Sequence, residues 1–230
     1  MTASPDDDGL GSRSRPPPQA LAPEVGDLAL RLPPSYSQVS ASIVTPSDWT
    51  ELDLDPDTRH KSIRRAVRRA VTRSRGLAPD TVPLIALLDH ICRRADEARA
   101  FYCASLIIED DAVRGALVAT VLMQVCESAT APLPGTLSLP VDKRCADLVA
   151  IIRSDPWWAG ASAGVVTLPL VGPAVRLHIK DDGMILQYIV PLIGGIADVV
   201  LTFTCPCPPY TELITELFDT MDDSLVLHVR

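Results

Sequence analysis

The last third of the chain restricts the possible folds most, because apolar runs alternate there with clear turn signals. Residues 174–180 alternate apolar and polar side chains and lead to Asp182-Gly183, a dipeptide that favours a tight hairpin because glycine accepts positive φ. A second apolar run starts at Met184, Gly194-Gly195 precedes a third, and a helical pattern covers residues 210–224. The pattern predicts an antiparallel meander with one solvent-exposed face, closed by a helix.

The side chains in this segment divide into sets by periodicity. In the first strand Val175, Leu177 and Ile179 form the apolar set, and Arg176, His178 and Lys180 form the polar set. In the closing helix the apolar stripe consists of Leu213, Ile214, Leu217, Phe218 and Met221. We expect Leu217 and Phe218 to pack against the meander.

Three helical patterns precede the meander. The first, residues 56–75, has apolar residues at helical spacing and ends at Gly76. The second, residues 80–99, points Leu84, Leu87, Leu88 and Ile91 inward. The third, residues 141–152, ends before Pro156, because the residue before proline is pushed out of helical geometry.

Extended segments fill most of the remaining chain. Short strands are predicted at residues 27–32 and 49–54, and another at 163–168. Residues 101–108 and 115–126 are apolar runs joined by an acidic connector; the second could be a buried helix, but the connector favours a hairpin. The predicted fold class is α+β: an antiparallel sheet meander with helices packed mainly on one face.

Composition sets the domain organisation. Residues 1–24 are rich in Pro, Ser, Gly and Asp and are predicted to be a disordered tail, while residues 25–230 form a single domain; two small domains remain possible. The N-terminus lacks the apolar core of a secretory signal, and no run approaches a membrane span, so a cytoplasmic location is expected. Six cysteines are too few for a disulfide scaffold and are interpreted as small core residues.

Several segments resemble a known fold family. Residues 28–36, LALRLPPSY, are similar to the strand and "PPGW" opening of PsbP-like proteins, with Ser35-Tyr36 in place of Gly-Trp, and LpqN-type proteins share that fold. Residues 187–191 (QYIVP), 201–203 (LTF) and 216–219 (ELFD) resemble a family of uncharacterised actinobacterial proteins. The resemblance covers residues 30–230 and implies a PsbP-like α+β fold. It implies no activity, since such members serve as assembly, binding or lipoprotein modules.

Two features are candidate contact sites for a partner. The first helix has eight cations and no acid after Asp57, in a chain with a formal net charge of −8. Arg64, Arg65, Arg68 and Arg69 could be a solvated face, pair with the chain's own acids, or bind an acidic partner; nucleic acid is not expected. Trp157 and Trp158 are interpreted as a core plug plus a surface contact, because tryptophan is enriched in binding hot spots.

Catalytic, metal and cofactor motifs are missing from the sequence. Cys205-Pro206-Cys207 lacks the second ligand pair that a zinc site requires, although a redox role is open. No histidine stands in a nucleophile–base pattern, and the glycine pairs fit turns rather than a phosphate loop. We therefore predict no metal and no cofactor.

These observations favour a non-enzymatic module that binds another protein. The alternative is a small-ligand or lipid carrier with a pocket between the sheet and its helices. An enclosed, mainly apolar cavity of roughly 300 Å³ or more would support the carrier. A third class, an enzyme, has no nucleophile and base to support it. Oligomeric state and pathway are not encoded in any motif.

Overall fold

A computed structural model describes residues 39–73, 81–110, 115–132, 137–180, 183–206 and 210–229 of the chain. The predicted strand at residues 27–32 and the tail at residues 1–24 lie outside the described residues. Among the described residues, none of the helices has the length and apolar content that a bilayer crossing requires. The antiparallel α+β architecture is confirmed.

Seven strands form the main sheet, and every neighbouring pair in it is antiparallel. In chain order the main-sheet strands are β2 (Thr50–Glu51), β3 (Ala100–Asp110), β4 (Gly115–Glu127), β5 (Ser162–Leu168), β6 (Gly172–Lys180), β7 (Met184–Pro191) and β8 (Ala197–Cys205). Their spatial order is β2-β3-β4-β8-β7-β6-β5. The strands β1 (Val39–Ser42) and β9 (Val226–Val229) form a separate antiparallel pair. Thus β2 and β5 are the two edges of the main sheet.

The four helices match the predicted helical segments. They are α1 (Arg59–Arg73), α2 (Thr81–Glu97), α3 (Val141–Ser154) and α4 (Thr211–Asp222). A short 3-10 helix, Pro156–Trp158, follows α3, and the Asp155 carboxylate accepts a hydrogen bond from the Trp157 N–H at its start. Between β7 and β8, Gly194 and Gly195 both have positive φ, which explains why the turn there uses glycine.

Three helices cover one face of the sheet. Helices α1 and α2 pack with Leu122 on β4, and α3 packs with Val200 on β8. Leu122 lies opposite Thr202, two residues from Val200, so both clusters share a face. Helix α4 lies on the other face, against β7 and β8. Helices are therefore mainly, but not only, on one face.

The largest core cluster lies beneath α4. Phe218 is fully buried, and its ring stacks on Phe203 with centroids 4.6 Å apart. The Trp49 ring meets Phe218 edge-on at 6.1 Å. Leu217 packs against the same cluster, so the predicted contact of Leu217 and Phe218 with the meander is confirmed.

Several side-chain predictions are wrong. Leu87 and Leu213 were assigned to buried stripes, but they are 44% and 66% exposed, because each lies at the edge of its helix stripe. The polar set of β6 is predicted to face solvent, yet Arg176 is hydrogen-bonded to Asp219 of α4 and His178 is buried. The strand expected at residues 49–54 shrinks to the two residues of β2.

Candidate functional site

Helix α1 presents a row of basic side chains on its exposed side. The helix buries Ser62, Ile63, Ala66 and Val67. Because these residues occupy one side at helical spacing, the cations between them point outward. The exposed set, defined here as the basic face, consists of Lys61, Arg64, Arg65, Arg68 and Arg69. The four arginines named from the sequence are all in this exposed set, and their role in binding stays a prediction.

The ends of α1 are paired, whereas its middle is not. Arg59 lies 3.5 Å from a carboxylate oxygen of Asp89, and Arg73 lies 2.9 Å from one of Asp48. No cation of the basic face has a carboxylate within 4.0 Å in the described part of the chain. One of the three interpretations is that the four arginines pair with the chain's own acids. The described residues contain no such ion pair for them.

An open cleft of about 480 Å³ adjoins the basic face at the start of α1. Lys61 and Arg65 form one side, and Glu51, Asp53 and Asp55 also line it. The remaining lining residues are Leu52, Leu54, Thr58, Ser62, Ala100, Phe101 and Tyr102. The cleft is thus mostly polar and carries both signs of charge.

Hydrogen bonds hold the acidic loop of this cleft in place. The Thr58 hydroxyl donates to Asp53 Oδ2 at 2.5 Å, and the Asp55 N–H donates to Asp53 Oδ1 at 3.1 Å. These bonds, the first above all, lower the pKa of Asp53 below its usual value. The Ser62 hydroxyl accepts from the Asp53 N–H at 2.9 Å, which ties the loop to α1. The Asp53 carboxylate is therefore held in place by the loop and by α1.

A pair of thiols lies in the core beneath α1 and α2. Cys92 on α2 and Cys103 on β3 are both fully buried in one core cluster, where their thiols interact with each other. That contact lowers the pKa of Cys92 and raises the pKa of Cys103 well above the thiol value. The sequence predicted core cysteines but gave no sign that these two meet.

The two tryptophans lie far from the basic face. Trp158 packs against the core cluster of α3, as expected of a core plug. Trp157 is 68% exposed and is therefore the residue available for a surface contact. Helix α1 packs at the β2–β3 end of the sheet, and α3 at the β5–β6 end. Six strand spacings of about 4.8 Å separate the two edges, roughly 29 Å in all. The predicted partner-binding residues therefore form two separate surfaces.

Sequence reasoning missed a polar cluster beneath α4. Arg176 on β6 binds Asp219 with two hydrogen bonds, from Nε to Oδ1 at 3.0 Å and from Nη2 to Oδ2 at 3.1 Å. The Tyr188 hydroxyl donates to Asp219 as well. Burial, with a contribution from Asp219, raises the pKa of Tyr188 far above its usual value. The alternation on β6 could have revealed Arg176, but its partner is 43 residues away.

Another ion pair, this one almost fully buried, joins α3 to the sheet. Arg144 is only 1% exposed, and its Nη2 donates to Asp198 Oδ1 at 2.8 Å and to the Ser128 hydroxyl at 2.9 Å. Its Nη1 donates to the Leu192 carbonyl at 2.8 Å. Burial raises the pKa of Asp198, while Ser128 and Arg144 act against that rise. With so little exposed surface, this pair fixes the position of α3 rather than meeting a ligand.

The remaining candidate motifs show no assembled site in the described residues. No group of three or more His, Cys, Asp or Glu side chains is placed to hold a metal ion there. Cys205 lies in the core beneath α4, and Cys207 lies outside the described residues. His60, His90 and His228 are exposed and lie on α1, α2 and β9.

Comparison with known proteins gives weak similarity in structure and none in sequence. No protein-family model matches the chain, and no curated protein matches it. One similar solved structure is LpqN, "involved in cell envelope biogenesis of Mycobacterium tuberculosis", with a TM-score of 0.39 and 11% identity over 82% of this chain and 83% of that chain. Another is the cyanobacterial PsbP of Synechocystis, with a TM-score of 0.33 and 12% identity over 88% of this chain and 100% of that chain. These are the two protein types that the sequence segments resemble, and the values carry nothing about function.

Proposed function

We propose that this protein is a non-enzymatic interaction module that binds an acidic segment of another protein along the basic face of α1. The observation that carries the proposal is a row of five exposed cations without a carboxylate partner among the described residues. In a chain with a net charge of −8, such a row attracts anionic partners to this face rather than to the acidic remainder. The negative remainder of the surface disfavours wrapping by nucleic acid.

The cleft beside the basic face favours a polar partner over a lipid. Its volume of about 480 Å³ would suffice for a small ligand, but charged and hydroxyl side chains supply most of its lining. A carrier requires an enclosed, mainly apolar pocket. The acidic residues Glu51, Asp53 and Asp55 would repel the end of an acidic segment, and so confine it to the helix.

Paired arginine substitutions test the basic face. The double variant R68Q/R69Q removes two cations of the face, and R93Q/R94Q removes two neighbouring arginines of α2 that are ion-paired with Asp89 and Glu97. Glutamine is a comparable helix former, so both variants should fold. Binding of fluorescent polyglutamate, followed by anisotropy, should weaken at least about fivefold in R68Q/R69Q and less than about twofold in the control.

Salt and competition complete the test. Wild-type binding should fall steeply with added salt, because exposed charges are screened within about 8 Å at physiological ionic strength. Equal loss in the two double variants would show that net charge, not the face, attracts the probe. Tighter binding of duplex DNA than of polyglutamate would replace the protein partner with a nucleic acid.

A further inference from the structure

The two edges of the main sheet are built differently. Edge strand β2 has only two residues, and one of them is Glu51. Edge strand β5 has seven residues, SAGVVTL, with no charge and no proline. Its pairing with β6 is regular from Ser162 to Leu168, without a bulge. Natural sheets usually block such an edge with charge, proline, a bulge or a covering element, since an open edge pairs with another strand.

The outward backbone groups of β5 can be assigned from one hydrogen bond. Arg153 on α3 donates from Nη2 to the Ala163 carbonyl at 2.7 Å, so that carbonyl points away from β6. In an antiparallel strand every second residue points its N–H and C=O the same way. Val165 and Thr167 therefore direct their backbone groups outward, and both residues are exposed. Neither has a backbone partner on that side in the described part of the chain.

From this edge we infer that two copies of the protein pair through β5, antiparallel, about a two-fold axis at Val166. In that register Val165 of each copy lies opposite Thr167 of the other. The free N–H and C=O groups of these two residues then satisfy one another completely, in four hydrogen bonds. A register centred on Val165 would instead require the Ala163 carbonyl, which Arg153 already occupies. Arg153 thus selects the register.

Exposed apolar side chains at both ends of β5 favour a second copy as the occupant. Trp157, 68% exposed, precedes the strand, and Leu170, 63% exposed, follows it in the turn to β6. Antiparallel pairing brings the beginning of one strand to the end of the other, so Trp157 of each copy approaches Leu170 of its partner. Val165, 48% exposed, contributes further apolar area beside the axis. An interface of this kind is closed by symmetry, because the same patch serves both copies.

Cysteine cross-linking tests the register directly. Val166→Cys places two thiols opposite each other at the axis, at the Cα separation of about 4.5–5.5 Å that a disulfide bridges. Mild oxidation should give a covalent dimer on non-reducing gels. Thr167→Cys should not, because its copies lie diagonally apart, and the wild type controls for the native cysteines. A cross-link in Thr167→Cys but not in Val166→Cys would overturn the register.

Light scattering after size exclusion tests the association itself. The wild type should have twice the mass of one chain, and Val165→Pro, which deletes an outward N–H that β6 does not use, should raise the dissociation constant at least about tenfold. Val165→Thr keeps that N–H and is the matched control. Leu170→Asp, in an exposed turn, gives a second disruption if the proline variant does not fold. A monomeric wild type at about 100 µM, or equal association of the proline and threonine variants, would refute the inference. The remaining candidate for pairing with β5 would then be an extended segment of another protein.

Discussion

At the scale of single residues, Asp222 at the end of α4 is a buried acid without a partner among the described residues. It is fully buried, and neither carboxylate oxygen has a hydrogen-bond partner among the described residues. Burial raises its pKa to about 8; the neighbouring Asp223 and Asp219 add to the rise, and only Arg176 opposes it. The residue therefore stays protonated at neutral pH while an unfolded chain ionises it near pH 4. Position and sequence alone give no sign of this, because the same acid on an exposed helix end would be unremarkable.

The first prediction concerns this carboxyl group. The folded pKa lies above the unfolded one, so its contribution to stability is complete below about pH 4 and is lost as the pH rises through about 8. Asp222→Asn resembles the protonated acid, and should be more stable than the wild type at pH 8 by up to about 5 kcal/mol, but similar at pH 4. Urea unfolding at several pH values measures this. The exposed Asp96→Asn on α2, which is not among the charges acting on Asp222, is the control, and parallel pH profiles for Asp222→Asn and the wild type would contradict the assignment.

At the level of elements, α4 buries one apolar residue and exposes another on the same helix. Phe218 fills the space between Phe203 and Trp49, whereas Leu213, one turn and a half earlier, faces solvent. Because the apolar stripe of a helix is only about 100° wide, a residue one position off the stripe is exposed. Both residues lie in the helix, but only Phe218 contributes to its packing against the sheet.

The second prediction compares these two positions. Phe218→Ala removes a fully buried ring and should destabilise the protein by about 3–5 kcal/mol, measured as a shift in the urea midpoint at constant slope. Leu213→Ala should change stability by less than about 0.5 kcal/mol, because surface substitutions have small effects. A large loss in Leu213→Ala, or none in Phe218→Ala, would place the opposite side of α4 on the sheet.

Elements that depend on nearby residues were predictable, and those that depend on distant ones were not. The hairpins and helices follow from local alternation, turn glycines and helical spacing, and the structure confirms them. The side-chain contact between β6 and α4 does not follow, because a polar side chain paired with a distant partner looks the same in sequence as a solvated one. Arg176, bound to Asp219, is the example. For the candidate site, spacing predicted that the arginines would be exposed, but not which would lack a partner.

At the level of the whole molecule, the two proposed surfaces lie at opposite edges of one sheet. The basic face of α1 lies near β2, and the open edge is β5. A dimer formed through β5 would therefore leave both basic faces free and far apart. Two such faces would bind a partner with two acidic segments more tightly than one face alone, through effective concentration rather than new contacts. The two proposals remain separable, since each has variants that leave the other surface intact.

The last prediction concerns the terminal residues 1–24 and the whole fold. Residues 1–24 are rich in Pro, Ser, Gly and Asp and have no periodic apolar face, so deleting them is expected to remove few native contacts. We expect the thermal midpoint to change by less than a few degrees, since about 2–4 °C corresponds to each kcal/mol in a chain of this size. Deleting residues 1–44 is the contrast: it removes β1, which pairs with β9, and the hydrogen bond from the Val44 N–H to the Ser224 hydroxyl, and should lower the midpoint clearly. If the shorter deletion lowers the midpoint as much as the longer one, residues 1–24 pack against the fold, and the boundary between tail and domain lies elsewhere.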